Sequence, residues 1–333
     1  VTGLIDTAAT PIPRDRFGRP LVVPPGGHKA IGYTRCTTYV GCLDDTYNLS
    51  KWQQRMVAIG LADRPDLLLA VSATQRDDKS GLDRIAAQAM DAAKAGAAST
   101  TGTALHALTE RIDRGEQLPI VPAAHLDDLD AYRAATRELE PVLIEQFTVL
   151  DELRIGGTPD RVVRYRGDGY IADVKTGSID WAAGKIAMQL AVYARSMPYD
   201  HATGERTPYP LPVDTGRGIV IHLPAGTGKC TLHWVDLDAG WNAVRLAGKV
   251  RDWRGRKDLL IPWEHVEPQH YTYQVDTSSA PLDNVAAALL AIKAATTLDD
   301  LRATYQHHVA SGVDGDAILP SCLARKAELE GVS

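Results

Sequence analysis

The chain has 333 residues, of which 44% are hydrophobic and 23% charged, an ordinary globular balance that supports a sizeable core and excludes a disordered or fibrous chain. A net charge of −6 argues weakly against a protein that coats nucleic acid, but an enzyme needs only a local basic groove. No run of 18 apolar residues occurs and the first 30 lack a signal-peptide core, so the four cysteines are expected as reduced thiols in a cytoplasm.

In chain order, residues 1–30 read as an extended arm, because five prolines and a Gly pair cannot sustain a helix. Residues 44–96 show Leu, Met, Ile and Ala at helical spacing, with breaks expected at Gly60, Pro65 and Gly81. The run from Ser99 to Thr103 supplies capping side chains for a helix over Ala104–Arg114 that ends at Gly115. A further amphipathic helix fills about 124–140 and stops near Pro141.

From Phe147 the pattern changes. FTVLDELRIGG, TPDRVVRYRG and GYIADVKTG read as three strands of an antiparallel meander. A helix follows over Ile179–Ser196, then strands over 216–223 and 229–235 around PAGTG, then a helix over about 238–252. The order implies an α/β fold with a mixed sheet. The expected domains are the arm, a domain over 31–275 with an N-terminal helical part, and, after the polar linker QVDTSSAP, a small helical appendage over 281–333.

The chemistry concentrates on the second and third strands. If the chain turns at Arg166–Gly169, Asp160 and Asp173 lie towards the same end of the hairpin. Side-chain alternation then puts Asp173 and Lys175 on one face and Val174 on the other. Two carboxylates and an ammonium at one sheet edge suit a hard divalent cation, which takes oxygen ligands and polarises a phosphate. The Val174 carbonyl is a further candidate ligand, and Lys175 would orient or deprotonate water or neutralise charge on the phosphate. Taken alone, the D-x-K triplet reads first as an exposed ion pair on a surface hairpin, since such triplets are common.

His106 and Glu110 share one helix face. A lone helical His is more often structural than a ligand, and Glu110 alone reads as solvated. Lys185, Gln189 and Tyr193 recur at intervals of four after the D-V-K strand, either as a nucleic-acid-contacting stripe or as a solvated face with Tyr193 half buried.

Together these residues resemble the RecB-like branch of the PD-(D/E)XK nuclease superfamily, whose order is a helical His, G-x-x-D, (D/E)-x-K and Q-x-x-x-Y. Here they stand as His106, Gly157–Asp160, Asp173–Lys175 and Gln189–Tyr193, within roughly residues 100–235. The resemblance implies a restriction-endonuclease-like core, a central mixed β-sheet flanked by helices. It implies metal ligation by His106, Asp160, Asp173 and the Val174 carbonyl, catalysis by Asp160, Asp173 and Lys175, and DNA positioning by Gln189 and Tyr193, with Lys185 on the same stripe. Glu152 is either an extra acidic group near the metal or an exposed strand residue, and Glu110 supports the site from its helix. The expected activity is an Mg²⁺- or Mn²⁺-dependent DNA exonuclease, phage-borne, in recombination or DNA processing; a His ligand keeps Mn²⁺ in contention. The alternatives are a structure-selective endonuclease and a catalytically idle DNA-binding or assembly protein.

Many relatives hold an iron–sulfur cluster with one early and three closely spaced late cysteines. Cys36, Cys42, Cys230 and Cys322 have no late C-x-x-C, so no cluster is expected. PAGTGK lacks the phosphate-loop spacing and has Cys230 where Ser or Thr would bind Mg²⁺, so it reads as a hairpin turn. The basic run Arg251, Arg254, Arg256 and Lys257 is a solvated helix end or a phosphate contact. The C-terminal helices suggest a DNA or recombination-partner contact, and an oligomer is compatible with the sequence.

Overall fold

The computed structural model describes residues 12–263 and 284–330, and divides the chain into one unit up to Lys257 and a second from Asp258. The proline-rich start folds back on itself: β1 (Leu21–Val22) pairs antiparallel with β2 (Ile31–Gly32). Val22 is buried with Tyr33, Phe147, Val149 and Tyr199, so from residue 12 the expected arm is a packed hairpin, held by apolar burial where prolines forbid a helix. Residues 1–11 lie outside the described residues.

β3 (Thr34–Arg35) leads into α1 (Cys36–Val40), followed by α2 (Tyr47–Asp63), α3 (Pro65–Ala73) and α4 (Lys79–Ala92). Pro65 opens α3, where its missing N–H costs nothing. Gly60 does not break α2. The backbone of α4 at Ala89 lies against it so closely that no Cβ would fit. Gly81 sits in the first turn of α4 and donates its N–H to the capping carboxylate of Asp78 at 2.9 Å.

α5 (Ala97–Asp113) starts earlier than its sequence implies. The hydroxyls of Thr100, Thr101 and Thr103 donate to the carbonyls of Gly96, Ala97 and Ser99 one turn back, so these side chains extend the helix instead of capping it. Gly115, at φ +69°, ends it as expected. α6 (Leu126–Thr136) is shorter than expected, because Glu140 already belongs to a strand, β4 (Glu140–Ile144). Pro141 is tolerated there because β4 is an edge strand.

The expected three-strand meander is corrected. FTVLDELRIGG contains two short strands, β5 (Thr148–Leu150) and β6 (Ile155–Gly157), joined through Arg154 in a left-handed conformation. They form a separate four-stranded sheet with β3 and β9 (Met197–Pro198). The second and third stretches are the hairpin β7 (Arg161–Tyr165) and β8 (Asp168–Lys175). Its turn is Arg166–Gly167, both at positive φ, a turn whose twist matches the flanking strands.

α7 (Ala183–Ala194), β10 (Arg217–His222), β11 (Thr231–Asp236) and α8 (Leu237–Gly255) complete the first unit. The main sheet runs β11-β10-β8-β7-β4, and only β8 and β10 pair in parallel, so it is mixed. On one face Tyr170, Ala172, Val174, Ile219 and Ile221 pack with Tyr132 of α6. On the other, Val162, Ile171 and Val220 pack with Ile186 and Leu190 of α7 and Val244 of α8. This mixed sheet between helical layers is the restriction-endonuclease-like α/β fold.

PAGTG is a hairpin turn, and it does make an anion cradle. The anion is internal: buried Asp128 of α6 accepts N–H donors from Gly226 at 2.7 Å and Gly228 at 2.8 Å, and His125 Nδ1 lies 2.9 Å away. In the second unit, α9 (Asn284–Ala294), α10 (Leu298–Ala310) and α11 (Gly315–Leu329) close on their own core of Ala288, Ile292, Leu301, Val313 and Ile318. The sequence's polar linker lies outside the described residues. Among those described, no helix is long and apolar enough to cross a membrane.

Candidate active site

The register of the β7–β8 hairpin pairs Arg161 with Ala172, so Asp160 and Asp173 stand opposite each other one step beyond the ladder. Asp160 replaces the missing ladder bond: its Oδ2 accepts the Val174 N–H at 2.7 Å. His106 of α5 brings Nδ1 to 3.4 Å from the same oxygen. Asp173 is 1% exposed, and its Oδ2 forms an ion pair with the Lys175 ammonium. The structure therefore brings His106, Asp160, Asp173, Val174 and Lys175 together at the edge of the sheet.

The electrostatics follow from this crowding. Burial raises both aspartic carboxyls above their usual range, and the charge of Asp160 adds to the rise at Asp173. Burial lowers His106, with Arg161 and Lys175 acting in the same sense against Asp173, and this favours the neutral imidazole that ligates metals. Glu110, on the same face of α5, is raised by burial.

Two participants were missed by the sequence reading. Arg161, 1% exposed, ion-pairs with Asp113, donates to Thr109 Oγ1 at 2.8 Å and lies over the ring of Tyr132. Tyr132 in turn donates its hydroxyl to Asp113 at 2.8–2.9 Å. A charged residue opening the otherwise apolar run RVV was the available signal. Glu145 follows β4 in a left-handed conformation, φ 53°, and its N–H donates to the Asp160 carbonyl at 3.0 Å. Burial, then Asp160 and Glu110, push its carboxyl up to about 8. Nothing in its local sequence marks it.

The remaining candidates fall differently. Lys185 ion-pairs with Asp44, so its charge is already compensated within the protein. Tyr193 is 3% exposed, with Gln189 Nε2 3.4 Å from its hydroxyl. It lies against Gly157, where a Cβ would come within 2.8 Å of the ring. The Tyr193 phenol is thus enclosed by Gly157 and Cys36 behind the site, buried more deeply than the half-buried position its spacing suggested. Glu152 is exposed in the single helical turn between β5 and β6, not on a strand.

The site thus combines a helical His, paired Asp residues on adjacent strands, a Lys two residues on, and a Tyr behind them. Residues 114–209 match the PD-(D/E)XK nuclease superfamily. The matched stretch contains Asp160, Asp173, Lys175, Gln189 and Tyr193, and supports a phosphodiester-hydrolysing nuclease. No curated protein sequence matches the chain.

Nucleases of this superfamily generally use Mg²⁺ or a similar cation, so the donors must fit one. Among the described residues no three His, Cys, Asp or Glu side chains stand arranged as a ready-made metal cage. The donor chemistry fits nonetheless. Asp160 and Asp173 stand clustered and buried, and carboxylates held above their usual range in this way carry the charge that a divalent cation relieves. The cysteines are free thiols in separate settings: Cys36 and Cys42 against the backbone of α7 and α8, Cys230 beside the sheet and Cys322 in the C-terminal unit.

Proposed function

We propose that the chain is a divalent-cation-dependent DNA exonuclease of the RecB-like branch, phage-borne and acting in recombination or DNA processing. The observation that carries the reading is the convergence of Asp160, Asp173, Lys175 and His106 on one end of the β7–β8 hairpin, with Lys175 ion-paired to the buried Asp173 carboxylate. Asp160, Asp173, neutral His106 and the Val174 carbonyl would hold the cation, Mg²⁺ or Mn²⁺. When bound, the cation supplies Lewis-acid polarisation of the scissile phosphate and of water.

The chain's own groups do the rest. Lys175 orients the attacking water and offsets the charge that grows on the non-bridging oxygens. As the new P–O bond forms, the bond to the leaving ester oxygen breaks and that oxygen takes up a proton. Val174 N–H and Arg161 fix the Asp160 carboxylate throughout.

A structure-selective endonuclease on the same scaffold is the second reading, and a closed circular substrate separates the two because it has no end. The test is digestion of end-labelled linear and closed circular DNA with Mg²⁺, Mn²⁺ or EDTA, comparing wild type with Lys175→Ala. Cation-dependent loss of linear DNA only, abolished by the substitution, is expected. Cutting of circles moves the reading to an endonuclease. DNA binding without cleavage under either cation leaves a binding or assembly protein.

A further inference from the structure

Trp181 is 99% exposed. An indole offers one of the largest apolar faces of any side chain, and here the backbone carrying it is firmly held. Ile179 and Ala182, on either side, both pack against the main core. Ala182 N–H donates to the Ile179 carbonyl at 3.1 Å, and Ile186 N–H donates to Ala182 at 2.9 Å as α7 begins. The start of the connection is pinned as well, by Ala225 N–H on the Thr176 carbonyl at 3.2 Å and by His222 Nε2 on the Gly177 carbonyl at 3.0 Å. A fixed turn therefore holds the indole wholly in water.

Its place in the chain gives this display a meaning. The turn leaves β8 directly after Lys175, so Trp181 is six residues from the ammonium of the candidate site. A chain of that length reaches at most about 20 Å, a span of a few nucleotides. In a duplex the base faces are taken by neighbouring bases, whereas an unpaired base leaves its face free for an aromatic side chain.

We propose that Trp181 stacks on an unpaired base of the strand whose phosphate lies at Lys175, which makes DNA with unpaired bases, single strands or frayed ends, the substrate class of this site. The inference rests on the nuclease reading above. Stacking is tolerant of base identity, so it selects strandedness and not sequence.

The test is anisotropy of labelled oligonucleotides in EDTA, where no cleavage occurs, with the full chain as wild type, Trp181→Ala and Trp181→Phe. The probes are a single strand, the same strand with abasic positions, and a duplex closed by hairpin loops too short to offer free bases. Cleavage by the wild type and by Lys175→Ala with Mg²⁺ or Mn²⁺ runs in parallel. Because the side chain is 99% exposed, Trp181→Ala and Trp181→Phe should melt like the wild type.

The expected result is single-strand binding weakened about 5- to 150-fold by Trp181→Ala and largely kept by Trp181→Phe, with the abasic and closed probes bound equally by all three. Undiminished single-strand binding by Trp181→Ala, with Lys175-dependent cleavage intact, overturns the stacking inference and leaves the nuclease reading standing. An equal loss on the abasic strand also overturns it, since the contact is then not with a base. A wild type that neither binds nor cleaves DNA overturns both.

Discussion

Arg161 Nη1 lies 4.0 Å from Oδ2 of Asp160, buried and without a hydrogen-bond partner. The same guanidinium ion-pairs with Asp113, so one cation ties α5 to the carboxylate that the site depends on. Arg161→Met leaves Asp113 buried and uncompensated, and should cost about 3–5 kcal/mol in denaturant unfolding. Pairing it with Asp113→Leu should recover a substantial part of that loss. Additive losses in the double variant would show that the pair is not a coupled unit.

Asp173 should trade stability for function. Its carboxyl is raised, so the native state binds more protons than the unfolded one, and its contribution becomes destabilising as pH rises above the ordinary carboxylate value. Asp173→Asn should therefore raise the melting temperature of the metal-free protein near pH 7. It should also remove most of the stabilisation by Mg²⁺ or Mn²⁺, about 2.7 kcal/mol at a hundredfold excess over Kd in the wild type. An unchanged cation response in the variant would take Asp173 out of the binding group.

Asp128 predicts the opposite pH dependence. Burial raises its carboxyl, but the hydrogen bonds from His125, Gly226 and Gly228 outweigh this and hold it below 3.8. Its stabilisation is thus complete above the ordinary carboxylate value and lost as pH falls through the lower folded one. Asp128→Ala should cost about 1.5–3 kcal/mol at pH 7 and flatten the acid limb of the stability curve. A variant with an unaltered acid limb would show that the cradle carries no net charge energy.

Gly157 and Tyr193 explain why two separate motifs travel together in this chain. A methyl at 157 meets the Tyr193 ring at 2.8 Å and Cys36 Cβ at 3.0 Å. Gly157→Ala should cost about 1–3 kcal/mol through overpacking, and Tyr193→Phe in the same background should rescue it only in part, because it removes the hydroxyl at 2.9 Å but leaves the ring carbon at 2.8 Å. Thermal denaturation of the three variants decides the point.

Much of this was legible in the sequence where pattern is local. The hairpin turn at Arg166–Gly167 and the shared face of Asp173 and Lys175 follow from alternation and turn chemistry. What was not legible depends on partners distant along the chain. Glu140 looks like a helix end until β7 is there to pair with it. Gly60 looks like a breaker until Ala89 packs onto it. Arg161 and Glu145 gain meaning only beside Asp113 and Asp160, and Tyr193 proves to be a buried wall where its spacing suggested a half-buried position.

The parallel pairing of β8 with β10 makes the strand that carries Asp173 and Lys175 depend on residues synthesised later. Residues Ala172–Lys175 find their parallel neighbours at Ile219–His222, and the Lys175 carbonyl waits for the Leu223 N–H. A ribosome adding about 5–20 residues per second makes the hairpin with its aspartates seconds before it makes the strand that steadies them. The nascent chain therefore carries the acidic pair on a sheet edge that stays open for the seconds until β10 is made, although the helices after β10 are still to come.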